Sequence, residues 1–340
     1  MYLDFYGLKA KPFGATPDPR FLHLTPGHRE ALAQLVYGVR ERRGFIVLTG
    51  EVGMGKTTLL QALVRRLDEQ VAFAFVFNST LQFEDILEYM IEDLGVVKTG
   101  DSRAQRLTAL NTFLLERRRK GQDTALIIDE AQNLTVDTLE QVRLLSNFET
   151  STDKLLQIVL AGQPELDDTL RLPDLRQFRQ RVALQCHIPP LTREETHDYI
   201  ATRLRVAGAR DLGPFTKAAV DRIAEYAEGI PRVVNILCDH CLVIGYADQT
   251  RRIGEEIAAE AIANIDGARR GRSRARRTGY RRTHGARPTS RLGRPSTLVA
   301  ALVGTMAVLT VGFEGLDPLR NALSAYLFEL WRSVRHLLVR

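Results

Sequence analysis

Residues 50–57 read Gly-Glu-Val-Gly-Met-Gly-Lys-Thr and follow directly on a short apolar run at 45–48. This is the spacing G-x-x-x-x-G-K-[ST], in which glycines let backbone N–H groups wrap phosphate oxygens without Cβ clashes. We expect Lys56 to reach the β- and γ-phosphates of a nucleotide and Thr57 to ligate Mg²⁺, beside the positive end of the following helix. The sequence therefore predicts an ATP–Mg²⁺ site, whose residues are Gly50, Glu51, Val52, Gly53, Met54, Gly55, Lys56, Thr57 and Thr58.

Three polar side chains follow two other apolar runs. Asp129 and Glu130 come directly after the run at 125–128, and Gln163 follows the run at 155–160. We expect Asp129 to hold Mg²⁺, directly or through water, and Glu130 to polarise the attacking water. Gln163 would lie at the carboxyl edge of the sheet, where open α/β folds bind ligands, and would orient that water. The pattern predicts hydrolysis of the bound nucleotide.

Arginines at two places could supply positive charge to the reacting phosphate. Arg176, Arg179 and Arg181 precede the run at 182–188, and such a charge is supplied either in cis or by a neighbouring subunit. Arg232 follows Gly-Ile-Pro at the start of a predicted helix, where an arginine is mildly unfavourable beside the helix dipole. We therefore expect Arg232 to reach the phosphates when the second domain closes.

The pair Cys238 and Cys241 is predicted to be part of a helical core. The two residues are three positions apart in a helical pattern, with Leu237 and Leu242 beside them, and Cys186 is the one other cysteine of the chain. We therefore favour packing over zinc binding or redox chemistry.

The elements that must position these residues follow from the apolar runs. Runs at 45–48, 73–77, 125–128, 155–160 and 182–188 alternate with helical patterns, which is typical of a parallel sheet covered on both faces. After residue 191 only helical patterns remain, opening with the capping pair Thr192 and Glu195. We predict an α/β nucleotide-binding domain at 1–190, which includes an N-terminal lead, and a helical lid at 191–267.

The charge of the chain is unevenly distributed. The 340 residues contain 47 Lys and Arg against 41 Asp and Glu, for a net charge of +6. Eleven arginines and no acidic residue or lysine lie at 267–294, and the rest has 36 basic against 41 acidic residues. The positive net charge of the chain therefore does not indicate a DNA-binding core. Three cysteines and no N-terminal secretory pattern favour a reducing compartment.

The last 70 residues suggest membrane attachment. We predict a flexible Arg-rich linker at 268–294 and a single transmembrane helix at 295–313, since 19 uncharged residues span about 28 Å as a helix. The arginines predict that the preceding side is cytoplasmic, and they could hold anionic lipid head groups or, as the second choice, nucleic-acid phosphates. Residues 314–340 have the pattern of an amphipathic helix.

Together these motifs resemble the AAA+ class of P-loop ATPases, and within it the ExeA-type general secretion pathway protein A family. The resemblance covers about residues 1–265 and is specific at 6–8, 17–22, 28–32, 129–132, 144–149 and 162–166. It implies a homo-oligomeric ring, cytoplasmic ATPase domains tethered to the bacterial inner membrane, and an inner-membrane partner protein of a secretion machine. It also implies that Arg181 is the catalytic arginine donated to the neighbouring subunit, with Arg179 in reserve.

Two other functions remain open from the sequence. One is an ATP-dependent, DNA-associated regulator of the transposition-helper kind, against which the apolar segment argues, so that nucleic acid is the less favoured partner. The other is a scaffold that binds ATP without hydrolysing it, against which Glu130 argues.

Overall fold

The computed structural model describes residues 1–14, 18–67, 70–77, 81–97, 100, 102–210 and 212–278. Its centre is a five-stranded sheet in the order β2-β3-β4-β1-β5, and every neighbouring pair is parallel. The strands are β1 (Phe45–Thr49), β2 (Val71–Val76), β3 (Asp123–Ile128), β4 (Gln157–Gly162) and β5 (Val182–His187). The predicted parallel α/β sheet is confirmed.

Helices cover both faces of the sheet, so alternate residues of one strand enter different cores. In β1, Phe45 and Val47 belong to one buried cluster, whereas Ile46 and Leu48 belong to the other. The first cluster includes residues of α4 (Phe83–Leu94), α5 (Arg103–Arg119), α6 (Val136–Leu145), α7 (Glu165–Leu170) and α8 (Arg176–Arg179). The second cluster includes residues of α2 (Pro26–Arg40) and α3 (Lys56–Arg66). Burial on both faces explains why the strands are unbroken apolar runs.

Helices follow the sheet where the sequence predicts a lid, and this segment is called the lid below: α9 (Arg193–Val206), α10 (Lys217–Ala227), α11 (Pro231–Ala247) and α12 (Glu255–Thr278). The predicted capping box is present: the Thr192 hydroxyl accepts from the backbone N–H of Glu195, whose carboxylate accepts from the N–H of Thr192. Cys238 and Cys241 are free thiols with no exposed surface in the lid core, where burial raises the pKa of both.

Helix α12 is longer than its sequence pattern indicates. The predicted lid ends at residue 267, and the backbone helix continues to Thr278. The first part of the predicted flexible linker is therefore helical in backbone. The remaining part of that linker, the predicted transmembrane helix at 295–313 and the predicted amphipathic helix at 314–340 lie outside the described residues.

The N-terminal lead packs on the lid although sequence order places it with the sheet. It begins with α1 (Tyr2–Tyr6), and Leu8, Phe13 and Phe21 are buried in the lid core. The guanidinium of Arg203 in α9 donates to the carbonyl of Pro12 at 2.6 Å and lies over the Phe21 ring. Residues 1–269 form one compact unit that contains both the sheet and the lid.

None of the helices within the described part of residues 1–278 has an apolar stretch long enough to cross a bilayer.

Candidate functional site

The loop between β1 and α3 carries the predicted phosphate-binding glycines. Gly53 and Gly55 have φ angles of +85° and +87°, which favour glycine, and Gly55 is the N-cap of α3. The Lys56 ammonium donates to the carbonyl oxygens of Gly50 at 2.7 Å and Glu51 at 3.1 Å. Lys56 is 5% exposed, and burial lowers the pKa of its ammonium. Among the charges that oppose this shift, the carboxylate of Glu130 acts most strongly.

The two predicted metal ligands meet at this loop. The Thr57 hydroxyl donates to Asp129 Oδ2 at 2.5 Å, and Asp129 is 3% exposed. Burial raises the pKa of the Asp129 carboxyl, although the hydrogen bond from Thr57 opposes that shift. A hydroxyl and a carboxylate are hard oxygen donors of the kind Mg²⁺ takes, and a cation would offset the buried charge. The donor set therefore fits the predicted metal.

Glu130 lies beside Gln163 at the carboxyl ends of β3 and β4. Glu130 has φ +54°, and its backbone N–H donates to Asp129 Oδ1 at 2.9 Å. Its Oε2 accepts from Gln132 Nε2 at 2.7 Å and from Gln163 Nε2 at 3.4 Å. Because β3 and β4 are adjacent and parallel, their carboxyl ends bring these groups together. The contacts of Gln132 were not predicted from the sequence. The one feature that could have indicated them is an amide side chain two positions after Glu130.

The predicted lid arginine lies against the phosphate-binding loop. The backbone N–H of Arg232 donates to the carbonyl of Gly53 at 3.3 Å. A Cβ on Gly53 would lie 2.6 Å from Arg232 Cβ, so the approach requires glycine. Arg232 itself is exposed at the start of α11. The structure thus brings the backbone of Arg232 to the loop, and the expected contact of its guanidinium with the phosphates stays a prediction.

A buried histidine that sequence reasoning missed also holds the loop. His28 is 7% exposed, and its Nε2 lies 3.0 Å from the Met54 carbonyl oxygen. Since a carbonyl only accepts, Nε2 carries the proton. His28 Nδ1 lies 2.7 Å from the hydroxyl of Thr25, the N-cap of α2. No local spacing signals this contact, because it joins α2 to a loop 26 residues away.

The candidate trans-acting arginines lie elsewhere on the domain. Arg181 donates to Ser146 Oγ and to Asn147 Oδ1, the latter at 2.8 Å, at the end of α6. Arg179 donates to the carbonyl of Arg171 at 3.2 Å. Within the described residues no hydrogen bond joins either arginine to the phosphate-binding loop of its own chain. Their predicted catalytic role stays a prediction.

Comparisons with known proteins show what the fold and the loop are similar to. Residues 39–170 match a family model described as an AAA domain. The ORC2 protein of Aeropyrum pernix, solved with ADPNP and ADP, has a TM-score of 0.58 at 17% identity over 75% of this chain and 71% of that one. Cdc6p from Pyrobaculum aerophilum has a TM-score of 0.58 at 20% identity, over 74% and 71%. Residues 39–170 are thus similar to an AAA domain, and about three quarters of the chain shares the fold of these two solved proteins.

The chain is also similar to general secretion pathway protein A, the family that the sequence motifs resemble. It is 38% identical to that protein of Aeromonas hydrophila over 271 residues, which are 79% of this chain and 49% of the relative. It is 28% identical to an uncharacterised HTH-type transcriptional regulator of Methanocaldococcus jannaschii, over 70% of this chain and 60% of that protein. The chain thus spans between about half and three-fifths of these relatives.

Proposed function

We propose that this chain binds Mg–ATP at residues 50–58 and hydrolyses it, and that hydrolysis remodels a secretion or cell-envelope machine. The carrying observation is the continuity of the site. Thr57 is hydrogen-bonded to Asp129, Asp129 to the backbone of Glu130, and Glu130 to Gln163, all beside the buried ammonium of Lys56. Three separate sequence motifs thus meet at one place.

Each group has a defined task in this proposal. Lys56 exchanges its loop carbonyls for phosphate oxygens and neutralises charge that develops on the terminal phosphate. Glu130 accepts a proton from the attacking water, which Gln163 orients. Thr57 and Asp129 would hold Mg²⁺, which supplies positive charge to the phosphate oxygens.

Two arginines complete the charge balance. Arg232 lies on the lid beside Gly53, so lid movement during the reaction would move its guanidinium relative to the phosphates. Arg181 is proposed to act on the nucleotide of a neighbouring subunit in a homo-oligomeric ring. In its own chain it is held by Ser146 and Asn147, which sets the direction of its side chain at the end of α6.

Membrane attachment is part of the same proposal. Support comes from the relationship to general secretion pathway protein A and from the uncharged segment at 295–313. The ATPase domain would then lie on the cytoplasmic side of a bacterial inner membrane, with the arginines of 268–294 against anionic lipid and an inner-membrane protein as partner.

The test uses the full chain in detergent. Wild-type protein should bind ATP in calorimetry, and Lys56→Ala should abolish binding whereas Lys120→Ala, on an exposed lysine that ends α5, should not. Glu130→Gln should keep binding and lose turnover, and turnover per subunit should rise with protein concentration unless Arg181 is replaced by Ala. Binding that survives Lys56→Ala contradicts the proposal, and unchanged turnover in Glu130→Gln supports the non-hydrolysing scaffold.

DNA association is the second candidate function. One relative carries the description of an HTH-type transcriptional regulator. In this chain exposed cations end two helices at the amino edge of the sheet: Arg65 and Arg66 in α3, and Arg119 and Lys120 at the end of α5. ATP-dependent binding to duplex DNA, weakened steeply by salt and by replacing these four residues with Ser, would support it. Absence of binding at low salt would exclude it.

A further inference from the structure

We propose that Gln132 is a positioning residue for hydrolysis, which holds the Glu130 carboxylate with one end of its amide and the backbone of Gln163 with the other. This inference rests on the proposed role of Glu130. Gln132 Nε2 donates to Glu130 Oε2 at 2.7 Å, and Gln132 Oε1 accepts from the backbone N–H of Gln163 at 3.0 Å. One side chain thus joins the ends of β3 and β4.

The direction of the Gln132 amide is fixed by its partners. The backbone N–H of Gln163 can only donate, so the atom facing it must be the amide oxygen. The NH₂ group of Gln132 therefore faces Glu130, whose ionised carboxylate can only accept. With the amide reversed, its oxygen would face the Glu130 carboxylate, which is also an acceptor. Its NH₂ group would face the backbone N–H of Gln163, which is also a donor, so both hydrogen bonds would be lost.

The backbone conformation of Glu130 and the lack of a side chain at Gly162 both accommodate the Gln132 amide. Glu130 has φ +54° and ψ +36°, a left-handed conformation that is uncommon outside glycine and persists where the surroundings hold it. Gly162 ends β4, and a Cβ there would lie 2.9 Å from Gln132 Oε1, so the absence of a side chain lets the amide approach. The strand end and the turn after β3 thus both accommodate Gln132.

The consequence for chemistry follows from which oxygen is held. Gln132 and Gln163 both donate to Oε2 of Glu130, and within the described residues no hydrogen bond engages Oε1. Oε1 is therefore the oxygen open to water. A general base must lie within hydrogen-bond reach of the proton it takes, and misplacement by about 1 Å costs up to about 100-fold in rate. Gln132 would keep Glu130 at that position, whereas Lys56, Thr57 and Asp129 bind the nucleotide without it.

Two variants separate the two ends of the amide. Gln132→Glu keeps the oxygen that accepts from Gln163 and replaces the donor facing Glu130 with a repelling carboxylate. Gln132→Met keeps the length of the side chain and removes both polar ends. Gln34→Glu is the matched control, because Gln34 Nε2 also donates to a glutamate, Glu30, at 3.2 Å on an exposed helix face.

The experiment measures kcat, ATP dissociation constant and Tm for the full chain in detergent. We expect kcat to fall about 10- to 100-fold in both Gln132 variants, the ATP dissociation constant to change less than about twofold, and Gln34→Glu to match wild type. A kcat within twofold of wild type in either variant, or an increase, overturns the inference. So does an equal loss of ATP affinity or of folding, since that would mark a merely structural residue.

Glu130→Gln keeps this result distinct from failure of the proposed function. If Glu130→Gln loses turnover and the Gln132 variants do not, only the role of Gln132 is wrong. If Glu130→Gln retains wild-type turnover, the role of Glu130 itself fails, and the inference fails with it.

Discussion

The backbone amide of Arg232 in the lid is hydrogen-bonded to the carbonyl oxygen of Gly53 in the phosphate-binding loop, at 3.3 Å. The residues are 179 positions apart, and their contact ties the first turn of α11 to the loop that precedes α3. A change in the conformation of the loop therefore alters this contact with the lid, and a movement of the lid alters it as well.

Gly53→Ala should separate the lid from the loop. The new Cβ would lie 2.6 Å from Arg232 Cβ, and the φ of +85° is strained for alanine. We expect ATP affinity to fall by about tenfold or more, equivalent to about 1.4 kcal/mol, by isothermal calorimetry. Gly95→Ala is the control, because Gly95 has φ +67° with open space around it. Gly95→Ala should be about 1 kcal/mol less stable than wild type and should bind ATP equally tightly.

Asp129→Asn should stabilise the nucleotide-free protein at neutral pH and abolish its stabilisation by Mg–ATP. Burial raises the pKa of Asp129, so the carboxylate binds a proton more tightly in the folded state than in the unfolded chain. The contribution of Asp129 to stability is therefore greatest below the ordinary carboxyl pKa of 3.8 and declines as pH rises through the folded pKa. Urea unfolding should show the variant to be more stable than wild type by about 1 kcal/mol at pH 8, with a smaller gap at pH 4. A gap that widens on acidification would contradict this reasoning.

His28→Ala should loosen the phosphate-binding loop. It removes the donor to the Met54 carbonyl and leaves the Thr25 hydroxyl without its buried ring partner. We expect a loss of about 1 to 3 kcal/mol in unfolding free energy and weaker ATP binding, measured by chemical denaturation and calorimetry on the same samples. His240→Ala, on the exposed face of α11, provides the comparison and should leave both quantities unchanged. Equal effects at the two histidines would exclude a specific role for His28.

Phe13→Ala should destabilise the lid although Phe13 lies more than 170 residues before it. Phe13 is 3% exposed and stacks edge-on against Phe215 at a centroid distance of 6.1 Å. Truncation of a buried phenylalanine costs about 3 to 5 kcal/mol. Hydrogen exchange should show lost protection in α9 to α11 before the sheet, whereas Val97→Ala, at a side chain that is 82% exposed, should have no effect.

Most of the candidate site residues could be predicted from the sequence because their motifs are short. Residues 50–57 and the pair Asp129 and Glu130 follow apolar runs directly, so local spacing alone places each at a strand end. The same runs predict the parallel sheet, since a strand buried on both faces has no polar alternation. The sequence also predicts Gln163 at the carboxyl edge of the sheet, whereas its contact with Glu130 depends on β3 and β4 being neighbours.

Contacts between distant segments were decided by the tertiary structure. Sequence order places the N-terminal lead with the sheet, yet Leu8, Phe13 and Phe21 complete the lid core, because an apolar side chain packs wherever the fold leaves a surface for it. The contacts of Gln132 and His28 could not be predicted from the sequence. Whether an amide or an imidazole holds another residue depends on which partner the strand order and helix packing bring within about 3 Å. The sequence by itself determined which residues are proposed to bind and split a phosphate, whereas the fold decided which side chains hold them in place.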